Sequence, residues 1–189
     1  EKEIEEKQIN PVVKGMQVEG HPYCGIIYVG GMVTEKGINT IEYNSRWGDP
    51  ECQVVVPGIK TDYADLILHC VEGKLNELKV ETDGKTRVCV VGASRGYPGD
   101  YSEVKGKPIM GLEEAAACKG VQLFGAGMAW KEGKWVANGG RLLSVVGEGK
   151  DIMEARARAY TAIAHIFIPG NNLHYRTDIG WREMQRGFA

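Results

Sequence analysis

Ile41-Glu42-Tyr43-Asn44-Ser45-Arg46-Trp47-Gly48-Asp49-Pro50-Glu51-Cys52-Gln53 changes character halfway along. Its first half places Glu42, Asn44 and Arg46 at alternate positions. In an extended strand such residues line one face. A carboxylate, an amide oxygen and a guanidinium would then point the same way. Oxygen donors suit a hard cation such as Mg²⁺, and the cation suits phosphate. A neighbouring arginine can grip phosphate oxygens through two hydrogen bonds at once. The second half, Gly48-Asp49-Pro50-Glu51, reads as the opening of a helix, with Asp at the N-cap, Pro at the first helical position and Glu in the first turn. A strand running into a helix N-terminus can make an anion site. The plain alternative is a solvated strand face followed by an ordinary cap.

Upstream, residues 23–34 are apolar and β-rich, Glu35-Lys36-Gly37 turns the chain, and residues 38–44 return. The pattern predicts a hairpin whose second arm is the Glu42 strand. Gly20-His21-Pro22 separates it from a first helix, where Ile4, Ile9, Val12, Val13 and Met16 recur near helical spacing and Pro11 kinks or restarts the run. Downstream, residues 50–56 and 62–71 read as helices.

Glu81-Thr82-Asp83-Gly84 marks a boundary, so the chain is expected to divide into residues 1–80 and 81–189. Beyond it, strands are expected over 87–93, 121–130, 134–137 and 141–147. Lys131-Glu132-Gly133 reads as a hairpin turn. Residues 151–167 read as an amphipathic helix, with Ile152, Ala155, Ala159, Ala162, Ile163 and Ile166 on one face and Arg156 and Arg158 largely off it. The tail from Asn171 reads as irregular, docked by Tyr175 and Trp181. Gly92-Ala93-Ser94-Arg95-Gly96 lacks the spacing and lysine of a phosphate loop and reads as a turn.

A chain of 189 residues can bury one good core or two small ones. A formal charge of −2 implies no broad attraction to nucleic acid or membrane. No apolar run is long enough to span a bilayer, and no signal-peptide pattern is present. Five scattered cysteines read as reduced and buried, as in a cytoplasmic protein, and no Cys/His spacing suggests zinc. The four histidines have no partner at metal or triad spacing.

Arg46-Trp47-Gly48-Asp49-Pro50-Glu51-Cys52-Gln53 resembles the signature of the phosphoribosylamine–glycine ligase family, ATP-grasp enzymes of purine synthesis. Gly25-Ile26-Ile27-Tyr28-Val29-Gly30-Gly31-Met32, Gly96-Tyr97-Pro98-Gly99-Asp100-Tyr101, Asn138-Gly139-Gly140-Arg141-Leu142-Leu143 and Tyr175-Arg176-Thr177-Asp178-Ile179-Gly180-Trp181-Arg182 follow in family order. Trp47 stands where the family usually has Phe or Leu, and Thr177 where it usually has Lys.

The resemblance implies an α+β fold: the C-terminal part of an ATP-grasp domain, then a small β-rich C-terminal domain with a covering helix, of the rudiment single hybrid type. It implies Mg²⁺ or Mn²⁺ on Glu42 and Asn44, and catalysis by Arg46 and Asp49. Substrate contacts would come from Arg46, Gly48, Asp49 and Glu51. The substrates would be ATP, glycine and 5-phosphoribosylamine. Glycine would take the γ-phosphoryl group, and the amine would then displace phosphate from the acyl phosphate. The chain opens without Met, inside what reads as a helix. The family's N-terminal domain, its middle lid and the first half of its grasp have no counterpart in the resemblance, so the expectation is that a separate N-terminal ligase chain or fragment partners it, and that alone it does not ligate. The alternatives are a non-catalytic binding or assembly module descended from such an enzyme, or another ATP-grasp ligase.

Overall fold

Pro11 restarts the N-terminal helix rather than ending it. In the structure, a computed structural model that describes residues 2–186, α1 (Lys2–Ile4) runs through π-helical turns (Glu5–Ile9) into α2 (Asn10–Val18). Pro11 lies in the first turn of α2, just after the π-helical turns, where its fixed φ suits the helix. The hairpin follows as β1 (Tyr28–Thr34) and β2 (Gly37–Asn44), antiparallel. Its first arm is shorter than expected. Residues 23–27 are irregular, and the Tyr23 hydroxyl donates to the carbonyl of Ile26 at 2.8 Å instead of standing off a strand.

The helix expected from Pro50 begins later. α3 (Cys52–Val55) is a single turn that passes into a 3₁₀ turn, Val56–Gly58. The Cys52 N–H donates to the Gly48 carbonyl at 2.9 Å, so Asp49-Pro50-Glu51 is enclosed as a turn, with the Asp49–Pro50 peptide cis. Pro50 is therefore not a first helical residue. α4 (Tyr63–Val71) starts one residue later than expected, with Asp62 as its cap: the Asp62 carboxylate accepts from the N–H groups of Ala64 and Asp65.

These elements belong to two compact units. The first joins the chain up to Cys52 with Ile59–Asp83; the second joins Gln53–Gly58 with Gly84 onward. The second unit holds β3 (Thr86–Ser94), α5 (Leu112–Ala116), β4 (Val121–Gly125), β5 (Met128–Lys131), β6 (Lys134–Ala137), β7 (Arg141–Gly149), α6 (Ile152–Ile163), β8 (Leu173–His174) and α7 (Trp181–Arg186). Four strands form an antiparallel sheet in the order β4-β7-β3-β8, and β5 pairs with β6.

The single strand expected over 121–130 is thus two. Gly127 separates them, its N–H donating to Arg141 C=O at 2.9 Å while its Cα lies so close to Gly139 that a side chain would not fit. Gly92 to Ser94 complete β3, and only Arg95 onward turns.

The core of this unit lies between α6 and the sheet. Val88, Val90, Leu142, Leu143 and Val145 from the strands meet Ala155, Ala159, Ala162 and Ile163. Alanines on the helix face Gly147 and Gly149 on β7. A Cβ on Gly147 would strike the backbone of Ala155 and Ala159, so two small surfaces allow close approach of helix and strand. α6 stops short of its expected end: Ala164 caps it, and Phe167 bridges to Met110. The tail is docked chiefly by residues other than those expected. Arg156 donates to the carbonyls of Ile179 (2.9 Å) and Thr177 (2.8 Å), and the Tyr160 hydroxyl donates to Arg176 C=O at 2.8 Å. Tyr175 packs against the core, but Trp181 is exposed.

None of the five cysteines is buried, contrary to expectation; Cys24 is exposed and the others are half-buried. No helix among the described residues is long and apolar enough to cross a membrane.

Candidate functional site

The face carrying Glu42 and Asn44 is made by a β-bulge. A two-residue turn after Thr34 pairs it with Gly37, and that count carried up the hairpin would set Tyr28 opposite Tyr43. The register slips between Gly30 and Gly31, leaving Ile41 as the extra residue. Tyr28 consequently pairs with Asn44, and Gly30 with Glu42. Directly paired residues share a face, so Tyr28, Glu42 and Asn44 lie together. Gly30 leaves the space that Glu42 uses: a Cβ there would stand 3.0 Å from Glu42 Cγ.

Hydrogen bonds hold this face. Asn44 Nδ2 donates to Glu42 Oε1 at 3.1 Å. The Tyr28 hydroxyl donates to Glu51 Oε1 at 3.0 Å, which ties the turn after β2 back to β1. Burial pushes the Tyr28 phenol above its ordinary range. The accepting Glu51 carboxylate adds to the shift, as does the charge of Glu42. Gly48 is buried under this link; a Cβ there would collide with the Glu51 carboxylate and stand 2.9 Å from Tyr28 Cε2.

Arg46 is not on the strand. β2 ends at Asn44, and Arg46 lies in the following bend with its guanidinium donating to the Trp47 carbonyl at 2.9 Å. The expected alternation therefore covers Glu42 and Asn44 only, because the chain must leave the sheet to reach Gly48. Arg46 and Asp49 are exposed, and Glu51 is half-buried. The Trp47 indole N–H donates to the Tyr63 hydroxyl at 2.6 Å, fastening the loop to the start of α4. Tyr28 and Tyr63 were not foreseen from the sequence. Tyr28 depends on the bulge, which no turn count reveals; Tyr63 depends on a contact between residues 16 positions apart.

The oxygen set suits a hard divalent ion only in part. Glu42 Oε1 already accepts from Asn44, while Glu42 Oε2 and Asn44 Oδ1 are of the right chemistry. Among the described residues no group of three or more His, Cys, Asp or Glu converges as a metal set. A two-oxygen protein contribution matches Mg²⁺ sites completed by phosphate and water. It does not match a cage built wholly from protein.

In the other unit, Arg176 and Asp178 form a two-bonded surface pair at 2.9 and 2.8 Å. The Arg176 guanidinium holds the Asp178 carboxyl below the usual range.

Comparison with known proteins places both units. The family model for the phosphoribosylglycinamide synthetase C domain matches residues 87–182, and that for the ATP-grasp (A) domain of the same synthetase matches residues 1–52. Phosphoribosylamine–glycine ligase of Caldanaerobacter subterraneus subsp. tengcongensis is 45% identical over 177 residues, covering 94% of this chain and 41% of its own length. The chloroplastic phosphoribosylamine–glycine ligase of Arabidopsis thaliana is 42% identical, covering 97% of this chain and 34% of its own. The crystal structure of phosphoribosylamine–glycine ligase from Thermotoga maritima superposes with a TM-score of 0.67 at 35% identity, over 85% of this chain and 38% of that one. The chain thus spans about two fifths of the length of the bacterial relatives it matches. Its fold is the C-terminal part of an ATP-grasp domain followed by a small β-rich domain with a covering helix. On the match of its C domain and the agreement of these relatives, the chain belongs to the phosphoribosylglycinamide synthetase family.

Proposed function

We propose that this chain is the C-terminal portion of an ATP-dependent ligase that joins glycine to 5-phosphoribosylamine, with residues 1–80 completing the grasp and 81–189 forming the C domain. The observation that carries the reading is the shared face of Glu42 and Asn44, locked at 3.1 Å beside a turn that presents Arg46, Asp49 and Glu51. The relatives bear the name of this reaction, and the chain covers 41% of the first of them. The activity is therefore proposed for the chain together with a further N-terminal ligase portion.

Glu42 and Asn44 would hold Mg²⁺ or Mn²⁺, which when bound neutralises phosphate charge. Arg46 would be a fixed cation for the transferring phosphoryl group, its exposed guanidinium free to turn from the Trp47 carbonyl to phosphate oxygens. Asp49 would meet an ammonium or amine. Gly48 would contribute backbone, and Glu51, held by Tyr28, would orient substrate. ATP gives up its γ-phosphoryl group to the glycine carboxylate; the amine of phosphoribosylamine then attacks the acyl carbon and phosphate leaves.

The test pairs these residues with the N-terminal portion of a family member and substitutes Glu42→Gln. Turnover should fall by about 10²-fold or more, and the Mg²⁺ concentration for half-maximal rate should rise. Mn²⁺ binding read by electron paramagnetic resonance should weaken in parallel. Unchanged turnover and unchanged Mn²⁺ binding would remove Glu42 from the metal role and favour the assembly-module reading.

A further inference from the structure

Cys24 and Cys70 stand 46 positions apart in the sequence and meet in the first unit. Their Sγ atoms are 3.9 Å apart, and the Cys24 thiol donates to the Cys70 backbone carbonyl at 3.0 Å. A disulfide needs the sulfurs at about 2.05 Å, so closure requires an approach of roughly 2 Å. Cys24 sits in the irregular segment ahead of β1, where no ladder holds it. Cys70 sits near the C-terminal end of α4. One partner is thus placed to move and the other to stay. Their exposure also differs in a useful sense: Cys24 is open to solvent, whereas Cys70 is half-buried.

We propose that Cys24 and Cys70 form an intramolecular thiol pair that a hydroperoxide converts to a disulfide, with Cys24 reacting first and Cys70 resolving. In the first step the Cys24 sulfur attacks a peroxide oxygen and the O–O bond breaks. The thiol proton leaves with the departing oxygen as water (or as an alcohol from an organic peroxide), and Cys24 becomes a sulfenic acid. In the second step the Cys70 sulfur attacks the Cys24 sulfur and the S–O bond breaks. The Cys70 proton leaves with that oxygen as a second water. Two thiols are oxidised by two electrons and one peroxide is reduced by two.

The thiol environment fits the division of roles. Burial pushes the Cys70 thiol up, as do the hydrogen bond and charge of Cys24. Cys70 therefore stays protonated and less reactive to peroxide until a sulfenic acid stands beside it. The bond would have a defined mechanical effect. It would tie the segment entering β1 to α4, whose first residue, Tyr63, accepts from Trp47 in the site loop. The closed ring of chain would contain Glu42, Asn44 and the whole Arg46–Glu51 run.

The test uses the full 189-residue chain, reduced, freed of reductant and treated with near-stoichiometric hydrogen peroxide. Intact mass should show loss of two hydrogens, reversed by a reducing dithiol, and an unreduced peptide map should join Cys24 to Cys70. The variant C52S/C89S/C118S should behave the same way. Cys70→Ser should stop at a sulfenic acid on Cys24, trapped by a cyclic dione, with no internal bridge. In denaturant the preference for this pair should vanish. Bridges mainly through Cys52, Cys89 or Cys118, bridges only between chains, or a Cys24–Cys70 preference that survives denaturant would each overturn the proposal.

Discussion

At the scale of the residue, Tyr28 shows how one side chain converts a hairpin into a site. Its hydroxyl donates to Glu51, so the protonated phenol is the form the site favours. A phenol raised in the folded state contributes stability that is fully present below the unfolded value, about 10. That contribution is lost as pH rises through the folded value. The expected outcome is an alkaline phenolate transition, assigned to Tyr28 by its absence in Tyr28→Phe, that lies above the free-tyrosine midpoint. Glu51→Gln should move it down, because the substitution removes both the carboxylate acceptor and its charge. Ultraviolet titration of the phenolate band measures this, and a transition indifferent to Glu51→Gln would contradict the link. Asp178 gives the opposite sign. Its carboxyl is lowered by Arg176, so the contribution is present above about 3.9 and is lost as pH falls through the folded value. Arg176→Met should raise the Asp178 midpoint toward the free value, read by carboxyl NMR.

At the scale of the element, periodicity revealed what depends on neighbours in sequence and hid what depends on distant ones. The hairpin, α4 and α6 were all legible, since each rests on local spacing, while the caps at Asp62 and Asp151 were seen only in the structure. The bulge at Ile41 and the break at Gly127 were not legible. The first follows from the fit of Glu42 over Gly30, and the second from contact with Gly139. Arg156 was read as a residue off the apolar face, which is where it lies. Nothing local says that its guanidinium caps the carbonyls of Thr177 and Ile179. Within the candidate site, Glu42 and Asn44 were placed on one face as expected, but Arg46 was not, because a strand rule was extended past the strand's end. The close fit of α6 on β7 yields a prediction at this scale. Gly147→Ala drives a methyl group into the backbone of Ala155 and Ala159. It should cost about 1–3 kcal/mol, as overpacking does in a well-filled core. Urea denaturation should show the midpoint falling with little change in slope, and an unmoved midpoint would mean that helix and strand are not in such close contact.

At the scale of the whole molecule, the two units differ in what holds each together. Every fully buried hydrophobic residue among those described lies at Val88 or beyond. In the first unit the buried residues are Gln8 and Gly48. Gln8 donates to Ile38 C=O at 3.0 Å, and its own backbone carbonyl accepts from the Tyr43 hydroxyl at 3.0 Å. Its side-chain oxygen is buried without a hydrogen-bond partner, which costs stability rather than adding it. Polar ties and half-buried apolar contacts therefore replace a core, while Met32, Val33 and Ile41 stand exposed on the hairpin. Burial of apolar area is the main source of folding free energy, so the first unit should open at lower free energy than the second. Hydrogen exchange makes the difference measurable. Hydrogen-bonded amides of β1 and β2 should exchange through local opening, with weak dependence on denaturant. Those of β3 and β7, flanking Val90, Val145 and Ala159, should exchange only through global unfolding of their unit, with the steep denaturant dependence that exposure of a core produces. Equal protection in the two hairpin strands and the two sheet strands would show that the polar network around Gln8 and Tyr43 holds its unit as firmly as a packed core does.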